Sequence, residues 1–144
     1  MKKTIILICT ILLLTGCNFD PYSDQRPADY GDALWVCDEY KIWFSVDLEK
    51  EDYYHPEGEL DIKDNTYFCK FYFIHQTNQL HISIYPVEYA NIPDKLRDRH
   101  AVIGSIEGEC SFSSESFVFT IDYVSGDIFD GTMEEMTFQK KELP

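Results

Sequence analysis

Positive charge is scarce in this 144-residue chain. It carries 12 lysines and arginines against 26 aspartates and glutamates, which gives a formal net charge of −14 at pH 7. A charge of this sign repels phosphate backbones and anionic lipid headgroups, so no nucleic-acid partner is expected. The acidic surface favours solubility, and it attracts cationic peptides or ions.

Long apolar runs are also missing. The run from Ile5 to Leu14 is about half as long as the roughly 20 apolar residues that a transmembrane helix needs. It follows Lys2 and Lys3 and precedes small residues, which is the layout of an export signal. Residues 1–16 are therefore predicted to be a signal peptide.

The predicted signal ends in the sequence Leu14-Thr15-Gly16-Cys17. This motif resembles the lipobox of bacterial lipoproteins, in which the cysteine thiol receives a diacylglyceryl group and the signal is cut in front of it. The resemblance implies that Cys17 is the lipidated first residue of a mature chain anchored to the outer face of the cell membrane. Two acyl chains attach a protein stably, whereas one chain binds only marginally. The alternative is an ordinary signal with a chance cysteine.

Aromatic residues are abundant, with 10 Phe, 10 Tyr and 2 Trp, which argues against disorder and favours strands. Residues 17–34 contain prolines and aspartates without an apolar period, so the lipidated cysteine and a flexible tether are expected there. From Trp35 onward, short aromatic and β-branched runs alternate with turn residues. This pattern predicts a single β domain over 35–141.

Seven runs predict strands, and an eighth is a possible short strand. The strands cover 35–47, 58–63, 66–75, 79–86, 101–112, 115–124 and 134–140, with the possible short one at 127–130. Short connections favour antiparallel neighbours. The fold class is therefore all-β, an antiparallel meander of 7–8 strands forming either a small barrel of lipocalin-like shape or a sandwich. At most one short helical segment is expected, near 92–98, where Pro93 can begin a turn.

Two family resemblances were considered for the β domain. No Gly-x-Trp sequence occurs at Trp35, so membership of the lipocalin family is not supported. The sequences Trp35-Val36-Cys37, Gly108-Glu109-Cys110 and Ile128-Phe129-Asp130-Gly131 resemble, in general layout, small uncharacterised lipoproteins of Gram-positive bacteria. That resemblance implies no activity.

Motifs for metal or redox chemistry are missing as well. No Cys-x-x-Cys pair occurs, so structural zinc and thioredoxin-like chemistry lack support, and no cofactor is expected. His75 and His81 flank a predicted turn at Thr77-Asn78. A register that pairs His75 with Leu80 points the two imidazoles to opposite faces, so no metal site is predicted.

Three cysteines follow Cys17, and export permits a disulfide between two of them. Cys69 shares its face with Phe71 and is expected to be a buried free thiol. This elimination leaves Cys37 and Cys110 as the preferred pair.

The predicted strand 66–75 is apolar on both faces, so both faces need a cover. The tether, the 88–99 segment or a second sheet packs over the outer face, or else Trp43, Phe68 and Tyr72 form an exposed patch. Such a patch binds a protein, a glycan or a small apolar ligand.

Local enzyme signatures are missing, so no catalytic residue is nominated. The predicted function is that of a membrane-anchored, extracytoplasmic binding module with an unknown ligand. A structural envelope lipoprotein and, less favoured, a small hydrolase are the alternatives.

Overall fold

The computed structural model describes residues 32–46, 56–74, 77–93, 96 and 101–144. Eight antiparallel strands follow one another in sequence order around a closed barrel. They are β1 (Ala33–Cys37), β2 (Ile42–Val46), β3 (Glu57–Ile62), β4 (Asn65–Ile74), β5 (Gln79–Pro86), β6 (Gly104–Phe112), β7 (Ser116–Ser125) and β8 (Glu135–Glu142). The predicted all-β meander is confirmed, and the barrel is the architecture that forms.

Several sequence predictions concern residues outside the described part of the chain. These are the signal peptide 1–16, the lipidated Cys17, the tether up to residue 31, and His55, His75 and His100. The first described strand begins at Ala33, two residues before the predicted start of the domain.

The interior of the barrel is filled with aromatic rings. Phe44 on β2 lies 4.4 Å from Phe71 and 6.1 Å from Phe117 on β7, measured between ring centroids. Phe117 in turn stacks on Phe138 at 4.6 Å. Strands β2 and β7 do not pair with each other, so these rings meet across the lumen. Burial of this aromatic surface is the main source of stability that the sequence supplies.

The first predicted strand, 35–47, is two strands in the structure. The chain turns at Asp38–Lys41, and Lys41 has a φ of 51°. Strands β1 and β2 then pair from Ala33↔Val46 to Cys37↔Ile42. The turn contains no glycine or proline, which is why the sequence pattern did not reveal it. The alternation of Ile42, Phe44 and Val46 with other residue types predicts that these three share a buried face, and their burial confirms it.

The register of the β4–β5 hairpin differs from the predicted one by two residues. Phe73 pairs with Leu80 and Phe71 with Ile82, and the last described pair before the turn is Ile74 with Gln79. A shift of two residues keeps every side chain on its predicted face. His81 therefore points outward, as predicted, opposite Tyr72.

Phe117, Phe119, Ile121 and Tyr123 stand at alternate positions of β7, which predicts that all four face the core. A β-bulge interrupts this alternation. The register between β6 and β7 shifts between Glu107 and Gly108, so Gly108 pairs with Ile121 whereas Glu107 pairs with Tyr123. Phe117 and Phe119 are buried as predicted, but Tyr123 lies on the outer surface and is 56% exposed. The extra residue of the bulge reverses which side chains face the core and which face solvent in the last part of β7.

The helical segment comes earlier than predicted. A 3-10 helix spans Val87–Asn91 directly after β5, ahead of the predicted 92–98. Within 92–98, the amide of Leu96 donates a hydrogen bond of 2.8 Å to the carbonyl of Pro93, which closes one turn. The possible strand at 127–130 does not form: residues 127 and 128 lie in a turn, and 129 and 130 are irregular.

Candidate functional site

The 3-10 helix covers part of the outer face of β4, for which the sequence predicts either a cover or an exposed patch. The ring of Phe68 lies 5.8 Å from that of Tyr85, which stacks at 5.9 Å on Tyr89 of the helix. Phe68 is only 3% exposed. Of the two alternatives that the sequence leaves open for this face, the burial of Phe68 supports cover by the chain, because the segment after β5 packs over it.

The other two residues of the predicted patch lie at different places on the barrel wall. Trp43 pairs with Val36 on β1 and with Glu59 on β3. Tyr72 pairs with His81 on β5, and the two rings are 5.9 Å apart. Both aromatic residues are half-buried. The structure therefore presents two separate outer sites in place of one aromatic patch.

The first outer site is an apolar groove of about 370 Å³ beside Trp43. It is lined by Leu34, Val36, Trp43, Ser45, Leu143 and Pro144. The strand residues of this set point outward, because alternate positions of β1 and β2 fill the core. Apolar side chains thus form nearly the whole lining of a surface that is open to solvent. Such surfaces mark contact sites.

Charged residues lie around this groove, which is called the Trp43 groove below. Glu59 is the register neighbour of Trp43, and Lys141 is that of Leu34. The ammonium of Lys141 lies 3.5 Å from the carboxylate of Asp38. The positive charge of Lys141 is therefore balanced locally, and the surroundings keep the acidic character of the whole chain.

The second outer site is a chain of hydrogen-bonding side chains on β5 and β6. The Nε2 atom of His81 lies 3.0 Å from the hydroxyl of Ser83. The Nδ1 atom of the same ring lies 3.1 Å from the carboxylate of Glu107. An ionised carboxylate only accepts hydrogen bonds, so in the neutral ring Nδ1 donates to Glu107 and Nε2 accepts from Ser83.

Polar side chains flank Ser83 on both sides. Lys70 on β4 and Ser105 on β6 are its direct neighbours in the sheet. The hydroxyl of Ser105 lies 2.8 Å from that of Ser125. Lys70, Ser83 and Ser105 are all less than a tenth exposed. The outer wall therefore carries a recessed polar row, with a lysine ammonium at its β4 end.

The sequence reasoning missed this second site. His81 and Ser83 are two positions apart on one strand, so a strand prediction already places both on the same face. Glu107 joins them only through the pairing of His81 with Glu107 between β5 and β6. A long connection, residues 87–103, joins β5 to β6. Because of its length, the sequence does not indicate which residues of the two strands pair.

The predicted disulfide between Cys37 and Cys110 is not formed. Cys37, Cys69 and Cys110 are free, buried thiols, as predicted for Cys69 alone. Strands β7 and β8 separate β6 from β1, a distance of about 14 Å along the wall. A disulfide needs Cα atoms within about 7 Å of each other.

Burial also makes these thiols poor nucleophiles. It raises the pKa of the Cys110 thiol to about 12, and it raises the pKa of Cys69 still further above its usual range. The pKa of Cys37 is raised mainly by the same loss of solvent. Because the thiolate is the reactive form, the described cysteines serve as small core residues.

Within the described residues, no group of three or more His, Cys, Asp or Glu side chains is placed to hold a metal ion. The same part of the chain contains no helix of the length and hydropathy needed to cross a membrane. No protein-family model, no curated protein and no solved structure matches the chain. The two outer sites are therefore the features of the described barrel that indicate a function.

Proposed function

We propose that this chain is an exported, lipid-anchored protein whose β-barrel binds a partner protein at the Trp43 groove. The lipobox-like sequence before Cys17 supports the anchor, and the prolines and aspartates of 17–34 predict a tether between the anchor and the barrel. As a flexible coil, a tether of that length would span very roughly 20 Å, enough to hold the barrel clear of lipid headgroups.

The observation that carries the binding proposal is the contrast between the inside and the outside of the barrel. Rings such as Phe44 and Phe117 meet across the lumen, so the interior offers no room for a ligand at their level. The Trp43 groove is concave, apolar and open. Binding on the outer wall is therefore favoured over carriage of a ligand inside the barrel.

The charge of the chain indicates which kind of partner fits the groove. The formal net charge is −14, so a basic surface is attracted and an acidic one repelled. A groove of about 370 Å³ holds one or two large apolar side chains. The proposed occupant is a basic protein segment that inserts an apolar side chain beside Trp43.

A fluorescein-labelled peptide of alternating arginine and leucine tests this proposal by fluorescence anisotropy. We expect the full chain to bind it, and Val36→Asp to weaken the dissociation constant at least about tenfold, because the new carboxylate lies in the groove lining. A peptide with glutamate in place of arginine is expected not to bind.

The matched control is Val118→Asp. Val118 is a half-buried valine on the outer face of β7, so this variant adds the same charge away from the groove. We expect it to bind the basic peptide as the wild type does. Equal binding by all three proteins means that attraction to the acidic surface suffices, and it contradicts the proposal.

A further inference from the structure

The contacts among Ser83, His81 and Glu107 have the order of a nucleophile, a base and an orienting carboxylate. Each link lies near hydrogen-bond length, at 3.0 and 3.1 Å. We propose that this cluster, which is independent of the Trp43 groove, is a catalytic site that hydrolyses small carboxylic esters through an acyl-serine intermediate. Ser83 is the nucleophile, His81 is the general base, and Glu107 is a positioning residue.

The orientation of the His81 ring allows it to act as a general base toward Ser83. A cross-strand hydrogen bond between His81 and Glu107 needs only one ring nitrogen. Here the other nitrogen, Nε2, contacts the hydroxyl of Ser83. With Nδ1 donating to Glu107, the lone pair of Nε2 is available to take the serine proton.

The reaction is balanced without a cofactor. Oγ of Ser83 attacks the ester carbonyl carbon while its proton passes to Nε2 of His81. The carbon–oxygen bond to the alcohol breaks, and the alcohol leaves with that proton. Water then attacks the acyl-serine, gives a proton to Nε2 and releases the carboxylic acid as Ser83 regains its hydrogen.

Lys70, which flanks Ser83, supplies positive charge next to the nucleophile. Lys70 lies directly across from Ser83 in the sheet, and cross-strand neighbours have Cβ atoms about 5 Å apart. Its ammonium lies 6.0 Å from the ring centroid of Tyr72. A buried cation close to the attacked carbonyl stabilises the negative oxygen that forms there.

Exposure limits the size of the substrate. Ser83 is 6% exposed, so only a small acyl group reaches its hydroxyl. The side chains of His81 and Glu107 are 37% and 48% exposed, which leaves the base open to solvent water. The site therefore fits acetyl and similar short esters in place of long-chain lipids.

Hydrolysis of p-nitrophenyl acetate by the full chain tests the site, together with labelling by a small alkyl fluorophosphonate. We expect the fluorophosphonate to form an adduct on Ser83, found by peptide mass spectrometry. Ser83→Ala and His81→Asn are each expected to lower kcat/KM at least about 100-fold. Glu107→Gln is expected to lower kcat with little change in KM.

Two matched controls are available on β6. Ser111→Ala and Glu109→Gln alter exposed residues outside the site, and both are expected to keep wild-type kinetics. Labelling of the wild type does not depend on the folding of any variant. Failure to label Ser83, or hydrolysis that persists in Ser83→Ala, overturns the proposal and leaves a structural cross-strand cluster.

Discussion

Replacing Phe117 by alanine is expected to lower the free energy of unfolding by about 3–5 kcal/mol. The side chain is fully buried, and its ring lies 5.4 Å from Trp35 and 4.6 Å from Phe138. The substitution leaves a cavity in the middle of the lumen, which the closed wall cannot collapse to fill. The loss is a large part of the roughly 5–15 kcal/mol that stabilises a typical domain.

Urea titration followed by circular dichroism measures this effect. The control is Val118→Ala, one residue along β7 on the outer face, where about 1 kcal/mol or less is expected. If both variants lose the same stability, the aromatic contacts across the lumen do not hold the barrel together.

Replacing Gly58 by alanine is expected to cost about 3–5 kcal/mol for a different reason. A Cβ at this position lies 1.8 Å from the carbonyl oxygen of Trp43 and 2.7 Å from the Cα of Phe44. Both atoms belong to the backbone of β2, so no side chain can rotate away to relieve the clash. Strands β2 and β3 must separate, which breaks hydrogen bonds of the closed sheet.

The control for this prediction is Gly131→Ala. Gly131 has a φ of +91°, but an added Cβ meets no atom within 4 Å. The only cost of this substitution is the backbone strain of an L-residue at a positive φ, about 1–2 kcal/mol. In thermal unfolding, we expect the Tm of Gly58→Ala to lie well below the Tm of Gly131→Ala and that of the wild type. The reverse order contradicts the close approach of β2 and β3.

Periodicity in the sequence revealed most of the strands, because strand residues alternate between core and solvent. The pattern around Phe44 and around Phe117 identified the inward face correctly. The sequence predictions are wrong where the local pattern of residue types gives little signal of the structure. The turn at Asp38–Lys41 has ordinary residues, and the only sequence signal of the bulge that changes the face of Tyr123 is the isolated glycine Gly108.

The two outer sites were less predictable than the core, because each depends on contacts between distant segments. The sequence leaves open whether Phe68 is covered, because the helix Val87–Asn91 that packs near it follows a separate strand. The Trp43 groove needs Leu143, which the chain brings to β1 only when the barrel closes. A side-chain pattern within one strand contains no information about such neighbours.

Anchoring of this acidic barrel outside the cytosol by a lipid on Cys17 is the central proposal. Mass spectrometry of the N-terminal peptide from the membrane fraction tests it most directly, with incorporation of labelled palmitate as a second measure. We expect the mature chain to begin at Cys17 with a diacylglyceryl group, and Cys17→Ser to lose the label. A mature chain that begins at another residue, without acyl mass, contradicts the account.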